Sequence, residues 1–462
     1  MHKLIKFIKS FSVISSIQTI IVYLYVFFLA RYGSESDYAD YITTTYIVDF
    51  TVAIALFGFN LLLLRENISF IKDNCFSILF ISGIVSAIIA LIYFSLINPS
   101  NITIIIYSLV LITLNYLYQF GFAILIKLQK NRLALTISLT NILLVLLTLI
   151  LCAVFNKLTY VNVVSLRSLQ VAIFVFCGFF PTIKLIQPKF NLSFHKILDC
   201  FKTALPIGGG TIIGNLTQYS DKIISSTLSS GEIARYSIAR FDIPFIGIFI
   251  NNMSYVYMEK IKQAINIERY DDAITNIKLL FKYGWYFNII VFTLLFCNTA
   301  LIIKILYSAK FLDSDILFKI ILLSYLLKPL PYSNIIVALG IEKIILKRML
   351  VELVLQISCS LILLHTFGII GLAISIILVL LLWSVPYNLY YFAKTLRCKI
   401  KDLIPVKEVI KSIFKTFLPC LISSLIISRY CYKSDLIILL ITCIIVVLTN
   451  IKEIKFILNN TK

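Results

Sequence analysis

The stretch Leu133 to Phe155, LALTISLTNILLVLLTLILCAVF, decides the class of fold. It holds no charged residue, and basic residues stand at both ends: Lys127, Lys130 and Arg132 before it, Lys157 after it. A helix of about 20 apolar residues crosses the hydrocarbon core of a bilayer. Backbone groups in lipid find no water, so such a segment must be a helix or part of a closed barrel. Barrel strands are shorter and alternate between apolar and polar. This run does neither, and it reads as a membrane-spanning helix.

Working outward, runs of the same kind recur along the chain. Spans are predicted at 11–30, 42–64, 75–97, 102–126, 133–155, 161–183, 204–228, 236–258, 281–303, 316–339, 345–366, 369–393, 409–430 and 434–451. The composition agrees, because 60% of the 462 residues are apolar and only 14% are charged. Soluble domains hold about 45–50% and about 25% respectively. The first run, 11–30, follows Lys3, Lys6 and Lys9 but is too long for the apolar core of a signal peptide, so it is read as a retained span.

The net charge of +20 reports topology rather than nucleic-acid binding. Thirty of the 42 Lys and Arg residues fall in loops or span ends on the side of the N-terminus, seven on the other side and five deeper inside spans. By the positive-inside rule both termini are expected in the cytoplasm. No loop is long enough for a soluble domain; the largest are 184–203 and 259–280. The ten cysteines form no C-x-x-C pair and sit mostly in apolar runs, where they act as small hydrophobes. The three histidines, His2, His195 and His365, are far apart. No metal and no cofactor is expected.

A short pattern repeats. Asp37-Tyr38-Ala39-Asp40-Tyr41 follows the first span and Glu232-Ile233-Ala234-Arg235-Tyr236 the seventh, with six spans between. Six is even, so the halves run in parallel about an axis along the membrane normal. The expected fold is an all-α polytopic membrane protein. An N-terminal six-helix lobe covers 1–203, a second covers 204–400, and an additional helix pair with a cytoplasmic tail covers 401–462.

Ionisable residues inside spans are costly and mark functional sites. The candidates are Asp49, Arg167, Asp221, Lys222, Arg240, Asp242, Lys319 and Lys328, five positive and three negative. Each also has a plain structural use: Arg167 and Lys319 can snorkel to headgroups, and Asp221-Lys222 can pair with Arg240-Asp242. Lys328 precedes Pro329 and Pro331, which break a helix and free its carbonyls, so it is expected to line a wet cavity. A net-positive interior favours an anionic cargo. Gly208, Gly209 and Gly210 at the start of the seventh span suit close packing or a hinge.

The turn Arg31-Tyr32-Gly33 followed by Tyr38-Ala39-x-Tyr41 resembles the start of the bacterial polysaccharide-repeat flippases, the Wzx-type O-antigen translocases. The stretch Leu205-Pro206 … Tyr219-Ser220-Asp221-Lys222-Ile223-Ile224 … Gly231 … Ala234-Arg235-Tyr236-Ser237-Ile238-Ala239 resembles the second half of that family more closely. Tyr307-Ser308-Ala309-Lys310-Phe311 is similar to its Tyr-Gly-x-x-Phe turn, with Ser308 in place of glycine, and Ala338-Leu339-Gly340 also fits. The family belongs to the multidrug/oligosaccharidyl-lipid/polysaccharide exporter superfamily.

The resemblance implies an inner-membrane flippase, not an enzyme. It would carry an undecaprenyl-pyrophosphate-linked oligosaccharide, for O-antigen or capsule, from the cytoplasmic to the periplasmic leaflet by alternating access. It implies a polysaccharide polymerase and a chain-length regulator as partners. By analogy Arg167, Lys222, Arg240, Lys319 and Lys328 would contact pyrophosphate or sugar. Asp49, Asp221 and Asp242 would couple an ion or pair those cations, and Gly208–Gly210 with Pro329 and Pro331 would be hinges. The competing readings are a membrane polymerase or glycosyltransferase using Glu35, Asp37, Asp40 or Asp313-Ser314-Asp315, a drug/cation antiporter of the same superfamily, and a lipid II flippase.

Overall fold

The computed structural model describes residues 23–56, 59, 68–97, 102–128, 130–155, 158–189, 194–241, 243–430 and 435–460. Nearly all of them are helical, and none of the described residues forms a strand. The chain divides into two units, 1–234 and 235–462, so the seventh expected span lies within the first.

In the first unit, α1 covers residues 23–32, α2 Glu35–Ala55, α3 Ile68–Ile97 and α4 Ile102–Lys127. Then come α5 Asn131–Val154, α6 Tyr160–Ile186 and α7 Phe194–Ser225; α8, Ser230–Ala239, runs across the boundary. Ser34 starts α2 as an N-cap, its hydroxyl accepting from the Asp37 amide at 3.0 Å. Glu35 and Asp37 add negative charge to that first turn, where the helix dipole welcomes it. Asp37 also accepts from the Tyr160 amide at 2.7 Å, which ties the start of α2 to the start of α6.

α5 and α2 have opposite characters. α5 turns Leu143, Leu147, Leu151 and Val154 outward with 47–69% of each exposed. Such an apolar stripe is stable only against lipid or another protein. α2 buries Thr43, Thr44, Thr45 and Thr51 together with Tyr38, Tyr41 and Tyr46. Inside the unit Thr44 meets the Asp40 carbonyl and the Tyr160 hydroxyl, and Thr45 accepts from Arg167.

In the second unit, α9 is Pro244–Asn266, α10 Tyr270–Cys297, α11 Thr299–Leu306, α12 Asp315–Leu326 and α13 Tyr332–Ala338. One helical stretch of 53 residues, Lys343–Thr395, follows. Straight, it would be about 80 Å long at about 1.5 Å per residue, far more than one crossing needs. Gly368 folds it back with φ +60° and ψ −148°, a region nearly closed to other residues. The arms, α14 (343–367) and α15 (369–395), face each other through polar pairs. Gln356 donates to Ser375 at 3.1 Å, and Arg348 donates to Asn388 at 3.1 Å. These arms are the eleventh and twelfth expected spans.

The last two helices are α16, Val406–Arg429, and α17, Asp435–Asn460. They are fastened along α10 and α11. Trp285 donates to Ser412 at 2.7 Å, Asn298 donates to Thr442 at 3.0 Å, and Lys304 pairs with Asp435 at 2.5 Å. Between them Phe417 packs on Phe292 and Phe296.

Among the described residues, seven helices are long and apolar enough to cross a membrane, one of them the folded 53-residue stretch. α2, α7 and α9 are long but are not among the seven, because they carry polar residues; in α2 these turn inward. The expected tenth span is not one helix. α12 ends at Leu326 and α13 begins at Tyr332, on either side of Pro329 and Pro331. Proline lacks the amide hydrogen and clashes with the preceding turn, so the helix stops there.

Candidate functional site

The first unit gathers charged residues that are distant in sequence. Tyr41, Thr45 and Asp49 lie four residues apart on α2 and so share one face. Arg167 of α6 meets that face. Its guanidinium donates to the Tyr41 hydroxyl at 3.2 Å and to Thr45 Oγ1 at 2.8 Å, and it stands over the Tyr41 ring at 5.6 Å. Arg167 is 5% exposed, so it does not snorkel to headgroups. Asp49, half-buried one turn beyond Thr45, interacts electrostatically with both Arg167 and Lys222.

Lys222 comes from α7 and is buried, with its ammonium over the rings of Tyr46 at 5.6 Å and Tyr219 at 5.1 Å. Aromatic faces attract a cation most strongly where water is excluded. Its neighbour Asp221 is also buried. A second polar chain extends from Arg167 along α6. Tyr25 donates to Gln170, and Gln170 donates to Asn141 of α5. Thus Arg167, Lys222 and Asp49 form one cluster, with Tyr25, Tyr41, Thr45, Asn141 and Gln170 around it. Sequence reasoning named the charges and missed the neutral partners. Their signal was present as the four-residue stripe Tyr41–Thr45–Asp49 and the pair Arg167–Gln170.

The remaining candidates lie elsewhere. Arg240 is half-buried just past the end of α8. Lys319 of α12 pairs with Asp315 one turn before it at 2.7 Å, and Thr299 also donates to that carboxylate. The sequence placed Asp315 in a loop; it belongs to the first turn of the helix. Lys328 is exposed in the break between α12 and α13, where Asn288 donates to the carbonyls of Tyr325 at 2.7 Å and Lys328 at 3.2 Å. Asp242 lies outside the described residues. Gly208, Gly209 and Gly210 lie within the unbroken helix α7, and added methyl groups at Gly209 and Gly210 would meet no atom within 4 Å.

Arg348 is a buried cation near the start of the predicted span 345–366 that is not among the candidates above. It is 8% exposed and lies near Glu352 at 3.7 Å and Asn388. Two of the acidic residues considered for enzymatic chemistry hold structural contacts. Asp37 serves the α2 cap and the Tyr160 amide, and Asp315 serves Lys319 and Thr299. Among the described residues, no group of three or more His, Cys, Asp or Glu is placed to hold a metal ion.

No family model matches the chain, and no curated protein matches it. Solved structures do. The lipid II flippase MurJ in an inward closed conformation superposes with a TM-score of 0.67 at 19% identity, covering 97% of this chain and 99% of that one. A multidrug-resistance transporter of the MATE family and MOP superfamily, inward-facing, gives 0.57 at 14% identity, covering 82% and 96%. An outward-facing MATE transporter gives 0.50 at 15% identity, covering 83% and 93%. All three are flippases or transporters, and none is an enzyme. The chain is a multi-pass helical membrane protein with the fold that these proteins share.

Proposed function

We propose that this protein is a flippase for an undecaprenyl-pyrophosphate-linked oligosaccharide repeat, moving it from the cytoplasmic to the periplasmic leaflet of the bacterial inner membrane by alternating access. The observation that carries the reading is Arg167. It is buried, yet its direct hydrogen-bond partners are the neutral hydroxyls of Tyr41 and Thr45. A buried guanidinium without a contact carboxylate is only part-compensated, and an anionic headgroup completes it. Asp49 stands in for that anion when cargo is absent. Lys222 is the second cation of the same site, and Arg240, Lys319 and Lys328 are the candidate contacts of the second unit.

As a fold-level analogy, the end-to-end likeness to MurJ favours a lipid-linked cargo over a drug cation. Coverage of 97% by the MurJ structure leaves only about 14 of the 462 residues unmatched, so the likeness extends over the C-terminal helix pair. The drug-transporter matches cover less of the chain. A π-helical turn two residues before a proline occurs in the sixth, twelfth and thirteenth spans, so it goes with the proline and not with the repeat. A π-helical turn at Val175–Phe179 precedes Pro181, and one at Leu380–Ser384 precedes Pro386. Both termini are assigned to the cytoplasm from the distribution of basic residues. Work beside a polymerase and a chain-length regulator follows from the same reading.

One specific observation favours a second reading, lipid II as cargo: the MurJ structure matches the chain end to end. Deletion of the gene separates the two. Loss of long-chain surface polysaccharide in a viable strain, with single lipid-linked repeats retained in the cytoplasmic leaflet, supports the first reading. Arrested cell-wall synthesis with intact polysaccharide supports the second. Unpolymerised repeats in the periplasm contradict both and indicate a polymerase.

A further inference from the structure

Between the end of α15 and the first turns of α16 the chain carries its densest positive charge. Residues 394–415 hold seven basic side chains, Lys394, Arg397, Lys399, Lys401, Lys407, Lys411 and Lys415, against Asp402 and Glu408. The segment 259–280 has the same length and lies on the same predicted side, yet it holds four basic against four acidic residues. Setting an orientation needs an excess of basic residues on one side, not their concentration in one segment.

The structure spends both carboxylates elsewhere. Asp402 accepts from the Lys399 backbone amide at 3.0 Å and so starts the helical turn Ile400–Leu403. Glu408 lies 3.9 Å from Lys282 of α10. Lys415 is held by Glu453 of α17 at 3.5 Å. Lys399, Lys401, Lys407 and Lys411 are exposed, and none of them forms an ion pair among the described residues.

Apolar side chains share this surface. Val406, Ile410 and Phe414, four residues apart on α16, are 46–65% exposed, and Leu418, Ile422 and Leu425 continue the exposed row along the span. Lys407 and Lys411 follow Val406 and Ile410 directly, and Ile400 is exposed between Lys399 and Lys401. A soluble acidic partner would meet the lysines and leave the apolar row against water. A lipid surface takes both, with the apolar side chains among acyl chains and the ammonium groups among headgroups.

We propose that this segment binds the anionic headgroups of bilayer phospholipids beside the C-terminal helix pair, in the cytoplasmic leaflet of the topology proposed above. The test is native mass spectrometry of the purified full-length protein, titrated with phosphatidylglycerol, phosphatidylcholine and undecaprenyl phosphate. Phosphatidylglycerol should be retained at least about tenfold more tightly than phosphatidylcholine. Each single Lys→Gln change at 399, 401, 407 or 411 should weaken that preference by up to about fivefold, the equivalent of about 1 kcal/mol. The combined variant Lys399→Gln/Lys401→Gln/Lys407→Gln/Lys411→Gln should abolish it, and Arg at the same four positions should keep it. Lys260→Gln/Lys262→Gln/Lys278→Gln, in the balanced segment, should leave it unchanged. Raising the salt from about 0.1 M to about 1 M should erode it, because the screening length falls from about 10 Å to about 3 Å. Equal retention of the two phospholipids, or a preference that survives the combined Gln variant, overturns the proposal. Undecaprenyl phosphate retained over phosphatidylglycerol through the same four lysines would assign the surface to a carrier lipid and overturn the phospholipid assignment.

Discussion

Arg167 donates to Tyr41 and Thr45, both neutral, while the carboxylate of Asp49 stands a turn further along α2. If cargo phosphate takes the place of Asp49, the residues separate by function. Arg167→Ala should lower the rate of flipping by at least about tenfold, because about 1.5–3 kcal/mol attaches to each hydrogen bond from a charged group. Arg167→Lys should keep part of the activity, since the charge remains but the fork is lost. Asp49→Asn should bind the anionic headgroup more tightly and release it more slowly, read as a lower apparent KM with a lower turnover. Normal turnover in Arg167→Ala at normal abundance would remove the cluster from the transport path. Outside the spans, burial and the neighbouring Asp402 push the Cys398 thiol above its ordinary value. Its maleimide labelling should therefore rise with pH later than that of a free cysteine, and Asp402→Asn should move the curve to lower pH. Each charge here was legible in the sequence as an ionisable residue in an apolar run. Their convergence was not, because Asp49 and Arg167 lie on spans far apart in the chain and a single sequence carries no record of contact.

At the scale of elements, two breaks are fixed by glycine. Gly284 of α10 lies against the Pro329 carbonyl, and a methyl group there would come within 1.9 Å of that oxygen. Asn288, one turn on, caps the carbonyls of the same break. Gly284→Ala should therefore push α10 away from the break and cost about 1–3 kcal/mol, measured as a lower Tm of the purified protein. Gly368→Ala should cost a similar about 1–3 kcal/mol by forcing a side chain into a glycine-only turn. An unchanged Tm in both variants would show that neither turn is held as described. The proline pair at Pro329 and Pro331 announced the first break in the sequence. The second was legible only as a short gap between two apolar runs. α2 is expected as a span from run length and from the alternation of basic loops, and it is not among the helices long and apolar enough to cross a membrane. Its threonines and tyrosines lower its apolarity, and they are buried within the protein.

At the scale of the whole molecule, the excess of basic residues on one side predicts the orientation. A cysteine reagent that cannot cross the membrane should label a cysteine placed at Lys157 in intact cells and leave one placed at Lys130 unlabelled until the cells are opened. The reverse pattern would invert the proposed direction of transport. The class of fold was legible from apolar runs and loop charge, since both follow from the cost of placing polar groups in lipid. The cargo was less legible, because cargo is recognised by a few side chains and not by the fold. The most direct test is reconstitution of the purified protein in vesicles that carry a fluorescent undecaprenyl-pyrophosphate-linked oligosaccharide, with a quencher that cannot cross the membrane. The account predicts that the protein brings the inner-leaflet half of the label within reach of the quencher, and that Arg167→Ala slows this by at least about tenfold. A label equally protected with and without the folded protein would contradict it.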